Sequence, residues 1–136
     1  MSTFDFDTVV EHYQRALGEF VKMVFSHRED VTLANPLGPV VRGWEQVAAT
    51  MERAASQLRD GEKVGFDVVA KYVTPELAYI VELDHTKARV GGRQDVAPIA
   101  LRVTTIFRPE DGTWKVVHRH ADPITTAQPI ESVIQQ

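Results

Sequence analysis

The sequence predicts an α+β protein, and three observations carry that prediction. Apolar residues recur at helical spacing in two stretches of the first 58 residues, then switch to a period of two after Gly61. Turn signals at Pro75, Gly91-Gly92 and Asp111-Gly112 divide the alternating half into four strands. Helices first and a strand meander afterwards is a segregated order, the mark of α+β rather than α/β.

The first helix is expected to begin near Thr8, where Thr8-Val-Val-Glu11 fits a capping box, hydroxyl to backbone amide and carboxylate back. Val10, Tyr13, Leu17, Phe20, Val21 and Val24 then form one buried stripe, and Gly18 is positioned to break the helix into a long and a short piece. Val31–Gly43, VTLANPLGPVVRG, reads as a short strand, a Pro/Gly turn and a second short strand. A second helix runs from Trp44 to about Leu58 with Trp44, Val47, Ala48, Met51, Ala55 and Leu58 on one face, and Asp60-Gly61 is its stop signal. Val64, Phe66, Val68, Ala70 and Tyr72 then share one strand face. Strands over Leu77–Arg89, Ile99–Arg108 and Trp114–His120 follow as antiparallel neighbours joined by short turns. On the second of the four, Tyr79, Val81, Leu83 and His85 lie on one face and Ile80, Glu82 and Asp84 on the other. The segment from Pro123 holds two prolines and no period, and is expected to be an extended tail lying across a partner subunit.

With 136 residues, 43% hydrophobic and 25% charged, the chain is expected to form one domain over 1–136, its core at about 8–122 and its tail at 123–136. It has no cysteine, which excludes disulfides, thiolate metal sites and cysteine nucleophiles. A net charge of −4 with dispersed basic residues argues against nucleic acid as a partner. No apolar run is long enough to span a membrane, and the acidic start MSTFDFDTVVEH lacks the pattern of a signal peptide, so a cytoplasmic protein without a membrane partner is expected. No Gly-x-Ser-x-Gly elbow, phosphate loop or dinucleotide fingerprint occurs.

Several polar residues carry two readings each. Asn35 precedes Pro36, where its side chain can serve the turn, or it can stand at a pocket mouth as a neutral donor. His118 and His120 are two apart on a strand and so share a face with Trp114 and Val116; they are either bonded within a packed face or acid–base groups of a pocket. No cupin-like ligand spacing follows them, so no metal is expected. Arg102 and Glu82, on neighbouring strands, suit either a cross-strand ion pair or ligand contact. His85 reaches a pocket if its face is concave, Asp67 and Asp84 read as solvated, and Trp44 packs its helix on the sheet or lines a pocket wall.

The turn VTLANPLGPVVRG before the Trp44 helix, the strand LRVTTIFR and the ending DGTWKVVHRHADP together resemble the SnoaL-like branch of the nuclear transport factor 2-like superfamily, over about residues 8–122. That resemblance implies a cone-shaped cystatin-like fold, a strongly curved and mostly antiparallel sheet wrapped around N-terminal helices, with an apolar pocket at its open end. It also implies homodimers packed through the sheet and chemistry without a cofactor. The ketosteroid isomerase pattern implies Asn35 where that family has its base, Thr105 where it has a protonated acid, and Tyr13 as the tyrosine donor. Both carboxylates are thus missing; an amide cannot take up and return a proton, so steroid isomerisation by that route is not expected. The same pattern sends Val117, Arg119 and Ala121 into the pocket and the histidines to the other face, an assignment that a bulge would reverse locally.

Three functions stay open at this point. One is a cofactor-free isomerase, dehydratase or cyclase acting on a small apolar carbonyl compound, with His118, His120 or His85 as acid–base and Tyr13, Asn35 or Arg119 orienting the substrate. The second is a non-catalytic pocket for a small apolar molecule, to which Trp44, Arg102, Thr105 and Val117 add contacts. The third is a dimeric interaction domain whose cone is closed by Phe66, Phe107 and Tyr72.

Overall fold

A computed structural model describes residues 5–15 and 19–135 of the chain. Helix α1 spans Phe6–Arg15 and α2 Glu19–Val24; strands β1 (Thr32–Ala34) and β2 (Val41–Arg42) flank the turn; α3 spans Trp44–Ser56. The long strands are β3 (Leu58–Val73), β4 (Ala78–Val90), β5 (Ala97–Glu110) and β6 (Thr113–Asp122), and a short 3₁₀ turn covers Ile130–Val133. One sheet contains every strand, in the order β2-β1-β6-β5-β4-β3, and β3 through β6 are the antiparallel meander the sequence predicts. β1 pairs with β6 in parallel, which brings the Asn35 turn beside the last strand.

The start of α1 differs from expectation. Asp5, not Thr8, is the capping residue: its Oδ1 accepts the Thr8 amide at 2.8 Å, so Thr8 sits three residues inside the helix. Leu17, Gly18 and the Phe20 side chain, which the expected stripe and break invoked, lie outside the described residues. The end of α3 differs too. It stops at Ser56, and the chain enters β3 at Leu58 without a loop. Asp60 takes φ 56° and, with Gly61, opposes a single β4 residue between the pairs Arg59↔Arg89 and Glu62↔Lys87. The turn signal therefore makes a β-bulge rather than a boundary.

Further bulges leave Val64 and Val69 of β3 and Val117 of β6 unpaired. Each one turns the following residues to the opposite face. Phe66 and Val68 thus pair with Asp84 and Glu82 on the concave side, whereas Ala70 and Tyr72 pair with Val81 and Tyr79 on the convex side. The expected single face of β3 does not exist. The added twist bends the sheet around α1 and α3. The core inside the bend is aromatic: Phe6 meets Phe107 edge-on at 5.0 Å and Trp114 at 5.4 Å, and Tyr13 meets Phe107 at 5.8 Å. Phe25, Leu33, Val47, Ile80 and Val116 complete it. Burying each such side chain stabilises the fold by roughly 1.5–3 kcal/mol.

Candidate functional site

Beyond that core the concave face, α1 and α3 enclose a cavity of about 210 Å³. Met51, Ala54, Ala55, Leu58, Phe66 and Val103 supply its apolar wall, and Tyr13, Gln14, Asn35, Lys63, Glu82, Asp84 and Arg119 its polar one. A second cavity of about 320 Å³, between the β1–β2 turn and α3, shares Asn35 and Ala54 with the first.

Glu82 and Asp84 are only 2% and 5% exposed, because they occupy the core-facing positions of a central strand beside Ile80. Asp84 is paired: Lys63 Nζ lies 3.0 Å from its Oδ2, and Thr86 donates to Oδ1 at 3.1 Å. Among the described residues Glu82 has no cation in contact. Its Oε2 accepts from the neutral Gln14 side chain at 2.7 Å, and burial raises its pKa from the ordinary carboxylate value, assisted by the charge of Asp84 and opposed by the Gln14 bond and by Arg119 and Lys63. Tyr13 is 7% exposed, and burial raises its pKa as well; its hydroxyl lies 3.5 Å from Thr105 Oγ1. Arg119 donates from Nη1 to Asn35 Oδ1 at 3.1 Å. That contact follows from topology, since β1 pairs Leu33 with Arg119 and holds the Asn35 turn against β6.

The bulge at Val117 decides which β6 side chains point inward. Before it, Val116 pairs with Phe107 in the core; after it, Arg119 pairs with Thr105 and Ala121 with Val103 on the concave face. Val117 itself is the extra residue and does not line the cavity. His118 and His120 lie on the convex face. His118 Nδ1 is 2.8 Å from Thr32 Oγ1, and its pKa is lowered by burial and by the charge of His120. His120 pairs with Asp122 at 3.2 Å. His85 is convex too, 2.9 Å from Asp67. Arg102 faces away from Glu82 and pairs with Asp122 at 2.7 Å, so the ion pair between Arg102 and Glu82 does not form. Trp44 stacks on His27 at 3.9 Å rather than on the cavity. Of the residues the sequence singled out, Tyr13, Asn35 and Arg119 come together at the cavity, with Thr105 behind Tyr13; the histidines, Arg102, Trp44 and Val117 do not. Phe66 lines the cavity, Phe107 fills the core, and Tyr72 lies outside on the convex face.

The sequence reading passed over Gln14, Lys63, Glu82 and Asp84 as a set. The signal was present in β4, where two carboxylates alternate with Ile80 at the centre of a four-strand meander. A carboxylate on the inner face of a central strand must be buried. Among the described residues no cluster of three or more His, Cys, Asp or Glu is arranged to hold a metal ion, and no helix is long and apolar enough to cross a membrane.

A curved, mostly antiparallel sheet wrapped around N-terminal helices defines a cone-shaped α+β class. The chain belongs to the SnoaL-like domain family, whose model matches residues 6–125. Among solved structures it is similar to a nuclear transport factor 2-like superfamily protein from Salmonella enterica serovar Typhimurium (16% identity, TM-score 0.74, 91% of this chain and 92% of that one). It is also similar to a protein provisionally named a dehydratase of the nuclear transport factor 2-like family from Streptomyces avermitilis (15%, 0.71, 88% and 94%). A third is a ketosteroid isomerase-like protein from Erwinia carotovora atroseptica (15%, 0.69, 87% and 89%). At these identities the likeness establishes the cone-shaped fold alone. None of the curated proteins compared with the chain matches it.

Proposed function

We propose that the cavity is a cofactor-free acid–base site for a small carbonyl compound, of the isomerase, dehydratase or cyclase kind, with Glu82 as the proton carrier. The observation that carries this reading is Glu82 itself: a buried carboxyl on the cavity wall, bonded among the described residues only to a neutral amide and with a raised pKa. A group that must take and return a proton near neutrality needs that environment. Glu82 would remove a proton from the carbon next to the carbonyl and return it to another carbon of the same molecule. The Tyr13 hydroxyl and the Asn35 amide N–H would donate to the oxygen on which the negative charge develops. The role assigned to a histidine on sequence grounds passes to Glu82, since His85, His118 and His120 face away from the cavity.

The test is hydrogen–deuterium exchange into small ketones and enones, followed by NMR in D₂O. Wild-type protein is expected to catalyse exchange at the carbon beside the carbonyl, and Glu82→Gln to slow it by about 10²–10⁴-fold with the fold retained. Exchange no faster than buffer, or a Gln variant equal to wild type, would sink the reading. A non-catalytic ligand pocket is then the second reading, favoured by the amide at Asn35 where an isomerase has its base.

The same proposal takes the protein as a cytoplasmic homodimer. Its support is the convex face, where Tyr72 is 55% exposed and stacks on Tyr79 at 5.6 Å beside Ala70, Val81 and Leu83. Sedimentation is expected to give a dimer, and Tyr79→Glu a monomer.

A further inference from the structure

Among the described residues, Arg119 is the one cation on the cavity wall whose contacts are all neutral. Lys63 is cancelled by Asp84 at 3.0 Å. Arg119 donates to the Asn35 carbonyl oxygen at 3.1 Å, its other near group is the Tyr13 hydroxyl, and among the described residues no carboxylate pairs with it. A guanidinium offers five N–H donors in a planar fork, so most of its capacity is unspent. The carboxyl that could balance it within the cavity, Glu82, is drawn to Gln14 instead. When Glu82 is protonated, the wall therefore carries one positive charge without a counterpart.

We propose that the ligand of this cavity is a small monocarboxylate, its carboxylate gripped by Arg119 and its apolar body laid against Met51, Leu58 and Phe66. The proposal rests on the cavity being a ligand site, and it names the chemical class that site takes. Arg–carboxylate pairing is charge-assisted and bidentate, which suits a half-buried guanidinium whose orientation is already fixed by Asn35. The apolar wall and the volume of about 210 Å³ suit a body of six to ten carbon atoms, roughly the size of phenylacetate.

Binding is then coupled to a proton. The groups that face Glu82 are Tyr13 and Gln14 from α1, Lys63 from β3, Asp84 on β4 and Arg119 from β6. Tyr13 stays protonated because burial raises its pKa, and Lys63 and Asp84 neutralise each other. A bound carboxylate takes up the field of Arg119 that otherwise favours ionised Glu82, so the ligand binds more tightly the more Glu82 is protonated. Affinity falls as pH rises through the ionisation of Glu82, at most about tenfold per pH unit.

Isothermal titration with phenylacetate and its neutral amide, phenylacetamide, tests this. The acid is expected to bind at least about tenfold more tightly at pH 6, to take up a proton in paired buffers of different ionisation enthalpy, and to weaken towards pH 9. Arg119→Met should erase the preference. Asn35→Asp keeps the guanidinium but pairs it internally, and should erase the preference too; it decides the matter if Arg119→Met does not fold. Equal binding of acid and amide, no binding of either, or a preference that survives Asn35→Asp overturns the proposal. The acid–base reading fails separately. Acid binding without proton exchange into ketones removes that reading alone, and exchange without an acid preference removes this one alone.

Discussion

Two arginines on adjacent strands make opposite bargains with their surroundings. Arg108 of β5 meets Asp30 through two N–H···O contacts of 2.7 Å and Glu110 through a third of 2.8 Å, while Arg28 approaches Glu110 from the other side at 3.5 Å. Arg119 of β6 meets, among the described residues, only an amide oxygen and a hydroxyl. Around Arg108 every charge is answered within the chain: Asp30 is held down to a pKa of about 2, chiefly by its bonds to Arg108, and the arginine's own pKa is raised in turn. Around Arg119 the charges are left apart, and the nearest buried carboxyl moves towards its neutral form. A closed network fastens the segment after α2 to the β5–β6 hairpin. An open one is what a chain keeps where something else is to supply the missing charge.

The comparison can be broken at Arg108 first. Arg108→Met leaves Glu110, 6% exposed, with Arg28 alone and should destabilise the protein by about 2 kcal/mol, less than a fully buried pair because Arg108 is itself part-exposed. A urea midpoint unchanged by this substitution would make the network ornamental. The opposite substitution is Glu82→Gln. The folded-state pKa of Glu82 lies above its unfolded value, so the native protein binds this proton more tightly. Stability from that source is present at low pH and lost as pH rises above about 4.5, the ordinary value, towards the raised one. The Gln variant should match wild type near pH 4 and exceed it at pH 8 by on the order of 1 kcal/mol. Thermal melts at the two pH values check this, and a destabilised variant at pH 8 would mean that Glu82 is structural after all. The smallest effect belongs to Asp30→Asn. Its carboxyl is depressed in the folded state, so its contribution is complete above pH 4 and disappears as pH falls towards about 2. Asparagine should cost about 0.5 kcal/mol at pH 7 and flatten the acid limb of the stability curve.

The meander and the order of elements were readable because period and turn chemistry are local properties. The faces were not, because a face depends on counting. The pattern Val64-Phe66-Val68-Ala70-Tyr72 has correct strand chemistry, yet bulges at Val64 and Val69 place its members on two sides of the sheet. His118 and His120 looked continuous with Trp114 and Val116 for the same reason. Asp60-Gly61 carries a turn signal that serves a bulge just as well, since both need a residue at positive φ. Tyr13 and Asn35 were legible from the turn and the first helix, where no count accumulates. Glu82 was singled out only as a partner for Arg102, because its burial follows from lying on an interior strand of the four and from nothing in its immediate neighbours.

The extra residue at Val117 also acts as a frame marker within β6. With regular pairing the strand could send only one parity inward, either Trp114, Val116, His118 and His120 or Lys115, Val117, Arg119 and Ala121. Skipping one count lets the first half contribute Trp114 and Val116 to the core and the second half contribute Arg119 and Ala121 to the cavity wall. If the same residues paired without the bulge, Trp114 and Val116 would keep the core and His118 and His120 would turn to the cavity, an imidazole where the chain puts a guanidinium. The kind of charge offered to the cavity is thus written in where the pairing skips a count as much as in the letters of the strand.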